Sequence, residues 1–212
     1  MAQTTLSKWI ESPEIVNQNI IASSVIDRDR DKSTPHFMGV DIGLKSDGTA
    51  ITIGHWVTEL VGSNASRKLE IDLATVRYPK NENRAFFEID EIAEWVCTIA
   101  KRYGIQAGLT DQYYGSIAVP IMHKKGFKNI ECRHFNRVLN LEAYTVLHDY
   151  LVRGNLRIPE SKVLTEELLS LEMGLEDQNI MAPVGGHDDL SDSLARMAYV
   201  AHNRRPVIKK GQ

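Results

Sequence analysis

Residues 36–43 read His36-Phe37-Met38-Gly39-Val40-Asp41-Ile42-Gly43. The apolar run is typical of a buried strand, and it ends at an aspartate followed by a turn-forming glycine. Ser46-Asp47-Gly48 then predicts a turn, and the β-branched residues from Thr49 to Val57 predict a second strand. Alternating apolar residues from Lys68 to Tyr78 predict a third. The chain is therefore expected to open its sheet with three sequential antiparallel strands.

Helices and strands are expected to alternate after these three strands. The predicted elements are a helix at 86–103, a strand at 105–110, a helix at 117–125, a strand at 129–135, a helix at 141–152, an extended piece at 156–158, a helix at 161–173 and a last helix from 187 to about 203. This order predicts an α/β fold: a mixed sheet (three antiparallel strands, then β-α-β-α-β) with helices on both faces.

Residues 1–35 are polar, with alternating charges from Asp27 to Lys32, and are interpreted as a leader or interdomain linker. Ser12-Pro13-Glu14 is the one signal for a short helix within them. Residues 36–212 are expected to form a single domain. Hydrophobic residues make up 42% and charged residues 25% of the chain, a balance typical of a protein that folds.

Composition excludes some classes of protein. The sequence contains no apolar run of the roughly 18–20 residues that span a bilayer. Its two cysteines, Cys97 and Cys132, are too few for a disulfide framework or a four-thiolate zinc site and are expected to be buried thiols. The net charge of −3 is neutral towards nucleic-acid binding, because basic patches can be local. The candidate DNA-contacting residues are Lys124, Lys125, Lys128, Arg204 and Arg205.

Acidic residues occupy three positions where elements begin or end. Asp41 ends the first strand, Asp111 ends the strand at 105–110, and the last helix opens with His187-Asp188-Asp189-Leu190-Ser191-Asp192. Each aspartate alone also fits a structural role, as a turn or helix cap. Three carboxylates within five residues repel one another on a helix, and a cation would reverse that balance. Together they predict a metal site.

Helical periodicity ranks the acids of the last helix. At about 100° per residue, one apolar stripe contains Leu190, Leu194, Met197 and Ala201. Asp189 flanks this stripe, whereas Asp188 and Asp192 lie towards its back. Asp189 is thus the expected primary ligand, Asp192 is a further ligand or lies behind the ligands, and His187 replaces a carboxylate or is peripheral.

Such a carboxylate set suits Mg²⁺ or Mn²⁺, which prefer hard oxygen ligands. Two such ions about 4 Å apart activate a water and stabilise the attacking and leaving oxygens at a phosphodiester. The sequence offers no convincing cysteine or serine nucleophile. Acids at these three positions, within this order of elements, match the layout of RNase H-like nucleases.

Three segments resemble the nuclease motifs of tailed-phage large terminases. They are Gly39-Val40-Asp41-Ile42-Gly43, Leu109-Thr110-Asp111-Gln112-Tyr113-Tyr114-Gly115 and Gly186-His187-Asp188-Asp189-Leu190-Ser191-Asp192-Ser193-Leu194-Ala195. The stretch from Asn140 to Glu167 is similar to the same family, and the resemblance covers about residues 36–203.

The resemblance implies an endonuclease that cuts concatemeric double-stranded DNA during genome packaging, in the cytoplasm of the infected host. It implies a small terminase subunit and a portal as partners. Catalytic roles carry over to Asp41, Asp111 and Asp189, and metal ligation to these three together with Asp188 and Asp192. The chain lacks a GxxxxGK[ST] phosphate loop and residues 1–35 cannot hold an ATPase domain, so the sequence predicts an excised or separately encoded nuclease part.

Other classes of protein remain open at this point. A Holliday-junction resolvase also places paired acids on its final helix, and would act as a dimer on branched DNA. An actin-like or sugar-kinase ATP-binding protein shares Asp41-Ile42-Gly43, but needs a duplicated domain for which 212 residues leave little room. A packaging scaffold would bind without metal-dependent cleavage.

Overall fold

A computed structural model describes residues 6–21, 34–61, 64–176 and 178–204. The strands are β1 (Leu6–Lys8), β2 (Ile20–Ile21), β3 (His36–Asp41), β4 (Thr49–Val61), β5 (Asn64–Arg77), β6 (Ile105–Asp111), β7 (Ile130–Arg133), β8 (Leu156–Pro159), β9 (Glu172–Gly174) and β10 (Ile180–Met181). The helices are α1 (Pro13–Asn17), α2 (Ile89–Tyr103), α3 (Gly115–Lys124), α4 (Arg137–Val152), α5 (Lys162–Ser170) and α6 (Asp189–Asn203), with a short 3-10 helix at Pro79–Glu82.

Seven strands form the main sheet in the order β2-β8-β5-β4-β3-β6-β7. The β3–β4 and β4–β5 pairs are antiparallel, whereas β6 pairs in parallel with β3 and with β7. The predicted mixed sheet, opened by three antiparallel strands, is therefore confirmed. Because β3, β5, β6 and β7 run in one direction, their carboxyl ends lie at the same edge of the sheet, here called the upper edge.

The sheet has a hydrophobic core on each face. On one face α4, α5 and α6 pack with Phe37 and Leu109, while on the other α2 and α3 pack with Met38 and Val40. Alternation of side chains along β3 supplies both cores at once. The predicted helices on both faces are confirmed. No helix in the described part of the chain is long and apolar enough to cross a membrane.

The start of the chain is more ordered than its polar composition indicates. In residues 6–21, β1 pairs with β9, α1 starts at Pro13 as predicted, and β2 pairs with β8. Trp9 and Val16 are buried in the core beside α4 and α5. The polar average of residues 1–35 did not indicate this order in residues 6–21, which depends on a few buried apolar side chains. The domain boundary at residue 35 stays a prediction.

A second correction concerns the predicted helix at 161–173. Helix α5 ends at Ser170, and Met173 lies in β9, between β1 and β10. Pairing with a strand from the other end of the sequence overrides the local helical pattern there. Other predicted boundaries differ from the observed ones by a few residues.

Helix α6 lies directly on β3 at Gly39. A Cβ added at Gly39 would lie 2.6 Å from the backbone nitrogen of Met197 and closer still to the carbonyl oxygen of Ser193. Only a residue without a side chain permits this approach. The side chains of Ser193 and Thr52 add a hydrogen bond of 2.7 Å between α6 and β4. Gly39 therefore sets the position of α6, and of its acidic start, on the sheet.

Replacing Gly39 with alanine is expected to destabilise the fold by about 1–3 kcal/mol or more, because backbone atoms of α6 must move. Gly108→Ala in β6 is the matched control, since its added Cβ would meet its nearest neighbour, Ile130, at an ordinary 3.4 Å. Chemical denaturation of both variants checks the prediction. Equal stability of the two variants would contradict the close approach of α6 to β3.

Candidate metal centre

Two aspartates lie at the upper edge of the sheet, as predicted. Asp41 is the last residue of β3 and Asp111 the last residue of β6, and these strands are parallel neighbours. Parallel strands bring residues at their carboxyl ends into one crevice. Helix α6 lies on the same strands and brings its first turn to this edge. The topology therefore gathers carboxylates that are far apart in sequence.

Arg196 of α6 joins three of these carboxylates. Its guanidinium donates to Asp41 Oδ1 at 2.5 Å, to Asp111 Oδ2 at 3.2 Å and to Asp192 Oδ2 at 2.8 Å. The same group donates to the carbonyl oxygen of Val40 at 3.2 Å and lies over the ring of Phe135. We call Asp41, Asp111, Asp192 and Arg196 the arginine-bridged cluster.

This cluster holds an excess of negative charge. Three carboxylates face one guanidinium that is only 4% exposed. Burial raises the pKa of Asp41 well above its usual range, by more than Arg196 lowers it, and Asp192 and Asp111 raise it further. Burial lowers the pKa of Arg196, but the three carboxylates outweigh this and keep it charged. The cluster favours additional positive charge.

The donor types of this cluster suit a divalent metal, although ligand oxygens of the three acids do not all lie within 4.8 Å of one another and would have to move closer around an ion. The three carboxylates supply hard oxygen ligands, and their negative charge exceeds that of the one arginine that faces them. The side chains of Asp41, Asp111 and Asp192 are 18%, 18% and 21% exposed, so solvent and ions can reach them. The residues that would hold the metal are Asp41, Asp111 and Asp192.

The orientation of Asp192 differs from the helical-wheel expectation. Its Oδ1 accepts a hydrogen bond of 2.5 Å from Tyr144 of α4, and its Oδ2 faces Arg196. The helical-wheel prediction assumed that α6 has one buried face, and it therefore placed Asp192 on the side away from the apolar stripe. Helix α6 is covered by the sheet on one side and by α4 on another, so residues off the apolar stripe are also buried.

Asp189 has different partners. It is 3% exposed, and its Oδ2 accepts a hydrogen bond of 2.9 Å from the hydroxyl of Tyr78. Burial raises its pKa, and the bond from Tyr78 lowers it. His187 is about half exposed, with its Nδ1 3.6 Å from the same oxygen of Asp189.

Asp188 and Glu167 complete a group beside the arginine-bridged cluster. Asp188 precedes α6 and accepts a hydrogen bond of 2.9 Å from the backbone nitrogen of Ala182. Glu167 of α5 accepts one of 2.9 Å from the nitrogen of Ser191, while its Oε1 has no hydrogen-bond partner among the described residues. Burial raises the pKa of Glu167 to about 7, and Asp189 contributes. We call Tyr78, Glu167, Asp188 and Asp189 the helix-start cluster.

The predicted DNA-contacting residues do not lie near the carboxylates. Lys124 ends α3 and Lys125 follows it, with its Nζ 2.6 Å from Glu94. Lys128 precedes β7, at the lower edge of the sheet. Arg204 follows the far end of α6, with its guanidinium 3.6 Å from Glu131. Arg205 lies outside the described residues.

Other basic residues lie in segments that leave the edge of the sheet where the carboxylates are. Lys45 follows β3, Lys80 follows β5 and Arg137 follows β7, so all three lie in segments that leave the upper edge. All three side chains are exposed. Sequence reasoning missed them because they are isolated in the chain, and only the parallel topology brings them to one edge.

Four residues in or beside the two clusters were also missed. They are Arg196, Tyr78, Tyr144 and Glu167. Arg196 did carry a signal, since it follows Asp192 by four residues, one helical turn, where an ion pair is expected. The two tyrosines and Glu167 carried none, because they come from separate elements.

No family model matches the sequence, and a search of curated proteins finds no match. Solved structures do match. The large terminase nuclease of the thermophilic phage G20c has a TM-score of 0.65 at 15% identity, covering 81% of this chain and 84% of that one. Structures of the same nuclease with bound magnesium, cobalt and zinc match similarly.

Whole large terminases match as well. That of bacteriophage HK97 has a TM-score of 0.67 at 12% identity over 93% of this chain, and that of another thermophilic bacteriophage has 0.63 at 11% over 87%. This chain spans 44% and 43% of their lengths. At such identities the likeness establishes the fold. The chain therefore has the RNase H-like fold of the nuclease domains of phage large terminases.

Proposed function

We propose that this protein is a metal-dependent endonuclease that hydrolyses phosphodiesters in double-stranded DNA. The observation that carries the proposal is the convergence of Asp41, Asp111 and Asp192, from β3, β6 and α6, on one buried guanidinium. A fold shared with terminase nucleases, one of them solved with several divalent metals, supports the same chemistry.

Each residue of the centre has a proposed role. Asp41, Asp111 and Asp192 ligate the metal, with Asp189 and Asp188 as further acids at the start of α6. When bound, two Mg²⁺ or Mn²⁺ ions lower the pKa of an attacking water and stabilise the attacking and leaving oxygens. Tyr144 and Tyr78 orient Asp192 and Asp189 through their hydroxyl hydrogen bonds. Arg196 holds the acids together before the ions bind.

Lys45, Lys80 and Arg137 are proposed to contact DNA phosphates. They are exposed and leave the same edge of the sheet as the carboxylates. Positive side chains on segments around an acidic centre offset the repulsion between its carboxylates and the DNA backbone. The lysines and arginines proposed from sequence, Lys124, Lys125, Lys128, Arg204 and Arg205, would then contribute only to a longer DNA path.

The wider context is also a proposal. The shared fold supports a role in cutting concatemeric viral DNA during genome packaging, in the cytoplasm of an infected host. The small terminase subunit, the portal and a separate ATPase domain are the partners proposed for it.

Cleavage of linear duplex DNA is expected to require Mg²⁺ or Mn²⁺ and to stop in chelator, because the proposed nucleophile is a water activated by metal ions that the carboxylates would hold. Plasmid and linear DNA are incubated with each metal and with chelator, and the products are separated on gels. Undiminished cutting in chelator contradicts the proposal. A four-way junction is the comparison substrate, and strong preference for it indicates a resolvase instead.

Asp41→Asn and Asp111→Asn are each expected to lower the cleavage rate more than about 100-fold. Mutating a residue that only hydrogen-bonds to a metal ligand lowers activity roughly 10- to 100-fold, and removing a ligand itself should lower it further. Melting temperatures of both variants in chelator should be unchanged or slightly higher, because each variant relieves repulsion among the three clustered acids and leaves two carboxylates facing Arg196. Asp47→Asn is the control, an exposed acid in the turn that follows β3. A strongly lowered melting temperature with cleavage retained shows a structural role.

The two acids of α6 can be ranked by experiment. Asp192 shares the arginine-bridged cluster with Asp41 and Asp111, whereas Asp189 is bonded to Tyr78. Asp192→Asn is therefore expected to lower the cleavage rate at least as much as Asp189→Asn does. It should also bind metal more weakly, so that a higher Mn²⁺ concentration partly restores cleavage. Metal titrations of both variants measure this. Wild-type cleavage by Asp192→Asn beside an inactive Asp189→Asn would restore the ranking predicted from the helical wheel.

A further inference from the structure

A second group of metal-ligating side chains lies at the lower edge of the sheet. His36 starts β3, the strand that Asp41 ends, so the two groups are about 16 Å apart at roughly 3.3 Å per residue. His36 pairs with His55 of β4, and both imidazoles face Asp72 of β5. Ligand atoms of the three residues lie within 4.8 Å of one another. We call His36, His55 and Asp72 the imidazole cluster.

A β-bulge places Asp72 in this cluster. Ile53 pairs with Leu73 and the next residue, Gly54, pairs with Ile71, so Asp72 is the extra residue of β5. Ile71 packs in the core beside α6, whereas Leu73 packs in the core beside α2. A bulge redirects a side chain that regular alternation would place elsewhere, and bulges are frequent at functional sites.

The hydrogen bond made by His36 fixes the direction of its ring. Its Nδ1 lies 2.8 Å from the carbonyl oxygen of Thr34, which can only accept, so Nδ1 carries the proton. Its Nε2 then faces Oδ2 of Asp72 at 3.6 Å. When the ring is neutral, this nitrogen presents a lone pair to a carboxylate, an arrangement that either a cation between them or a second proton on the ring stabilises. Histidines that ligate metals are held in this way, by a backbone carbonyl on the other nitrogen.

Both histidines face the same carboxylate oxygen of Asp72. Nδ1 of His55 lies 2.7 Å from Oδ2, the same atom that faces His36. Ligands about 2.0–2.1 Å from a tetrahedral ion are roughly 3.3 Å apart, which side-chain shifts of under about 1 Å would produce here. The side chains of His55 and Asp72 are 17% and 15% exposed, so an ion can enter and keep a water.

We propose that the imidazole cluster is a second cation site, which binds a borderline divalent ion such as Zn²⁺ through two imidazole nitrogens, one carboxylate and a water. Imidazole ligands favour Zn²⁺ over Mg²⁺, whereas the all-oxygen cluster at the upper edge favours Mg²⁺. The ion would tie β3, β4 and β5 together at their lower ends. Glu70, the neighbouring acid, is already paired with Arg157 at 3.0 Å.

The test is a Zn²⁺ titration of the 212-residue chain by calorimetry, in excess Mg²⁺ to suppress binding to the upper carboxylates. Wild type is expected to bind one Zn²⁺ tightly. His55→Gln and Asp72→Asn should weaken this binding by more than about 100-fold, because each removes a ligand. His134→Gln, which changes an exposed histidine elsewhere, should bind as wild type does.

Imidazole NMR signals of the wild-type protein give a measurement that does not depend on the variants folding. Zn²⁺ is expected to shift the signals of His36 and His55 and to leave that of His134 in place. Equal Zn²⁺ binding by wild type and both variants overturns the proposal. So does an absence of Zn²⁺ binding by wild type, because a proton on an imidazole then balances Asp72. Neither result bears on cleavage at the upper edge.

Discussion

The buried guanidinium of Arg196 is the constraint on which the upper edge of this domain depends. A charged group that is 4% exposed is stable only where partners surround it, and here the partners come from β3, β6 and α6. The three carboxylates in turn need positive charge beside them, because without it they repel one another. The guanidinium without the carboxylates, or the carboxylates without the guanidinium, would therefore destabilise the fold. The ion pairs hold together the side chains of the proposed metal centre.

Backbone packing makes these ion pairs possible. Gly39 lets α6 lie against β3, so residues one turn apart on α6 reach the end of the same strand that carries Asp41. Tyr144 and Tyr78 then fix the two acids of α6 in different surroundings. A short close contact in the middle of a strand thus determines which helix acids meet the sheet acids.

The two ends of β3 carry different chemistry. At the upper edge the donors are carboxylate oxygens, whereas at the lower edge two imidazoles surround a single carboxylate. Hard cations such as Mg²⁺ prefer carboxylate oxygens, whereas borderline cations such as Zn²⁺ prefer imidazole nitrogens. The segments that leave the upper edge add Lys45, Lys80 and Arg137, the proposed phosphate contacts, while the bulge at Asp72 belongs to the lower edge.

The sequence by itself determined the order of the elements from β3 to α5, the last helix α6, and the ends of two strands. The periods of two residues for strands and 3.6 for helices can be read from neighbouring residues, so the bounds of β3, α2 and β6 were predicted within a few residues. The positions of Asp41 and Asp111 at the ends of β3 and β6 were predicted with them. Tertiary structure decided what depends on distant partners. Met173 became a strand residue by pairing with the chain's start, Asp192 met Asp41 through Arg196, and Asp72 entered a bulge beside two histidines. The physical reason is that burial and ion pairing depend on which elements surround a residue, and its neighbours in sequence do not specify them.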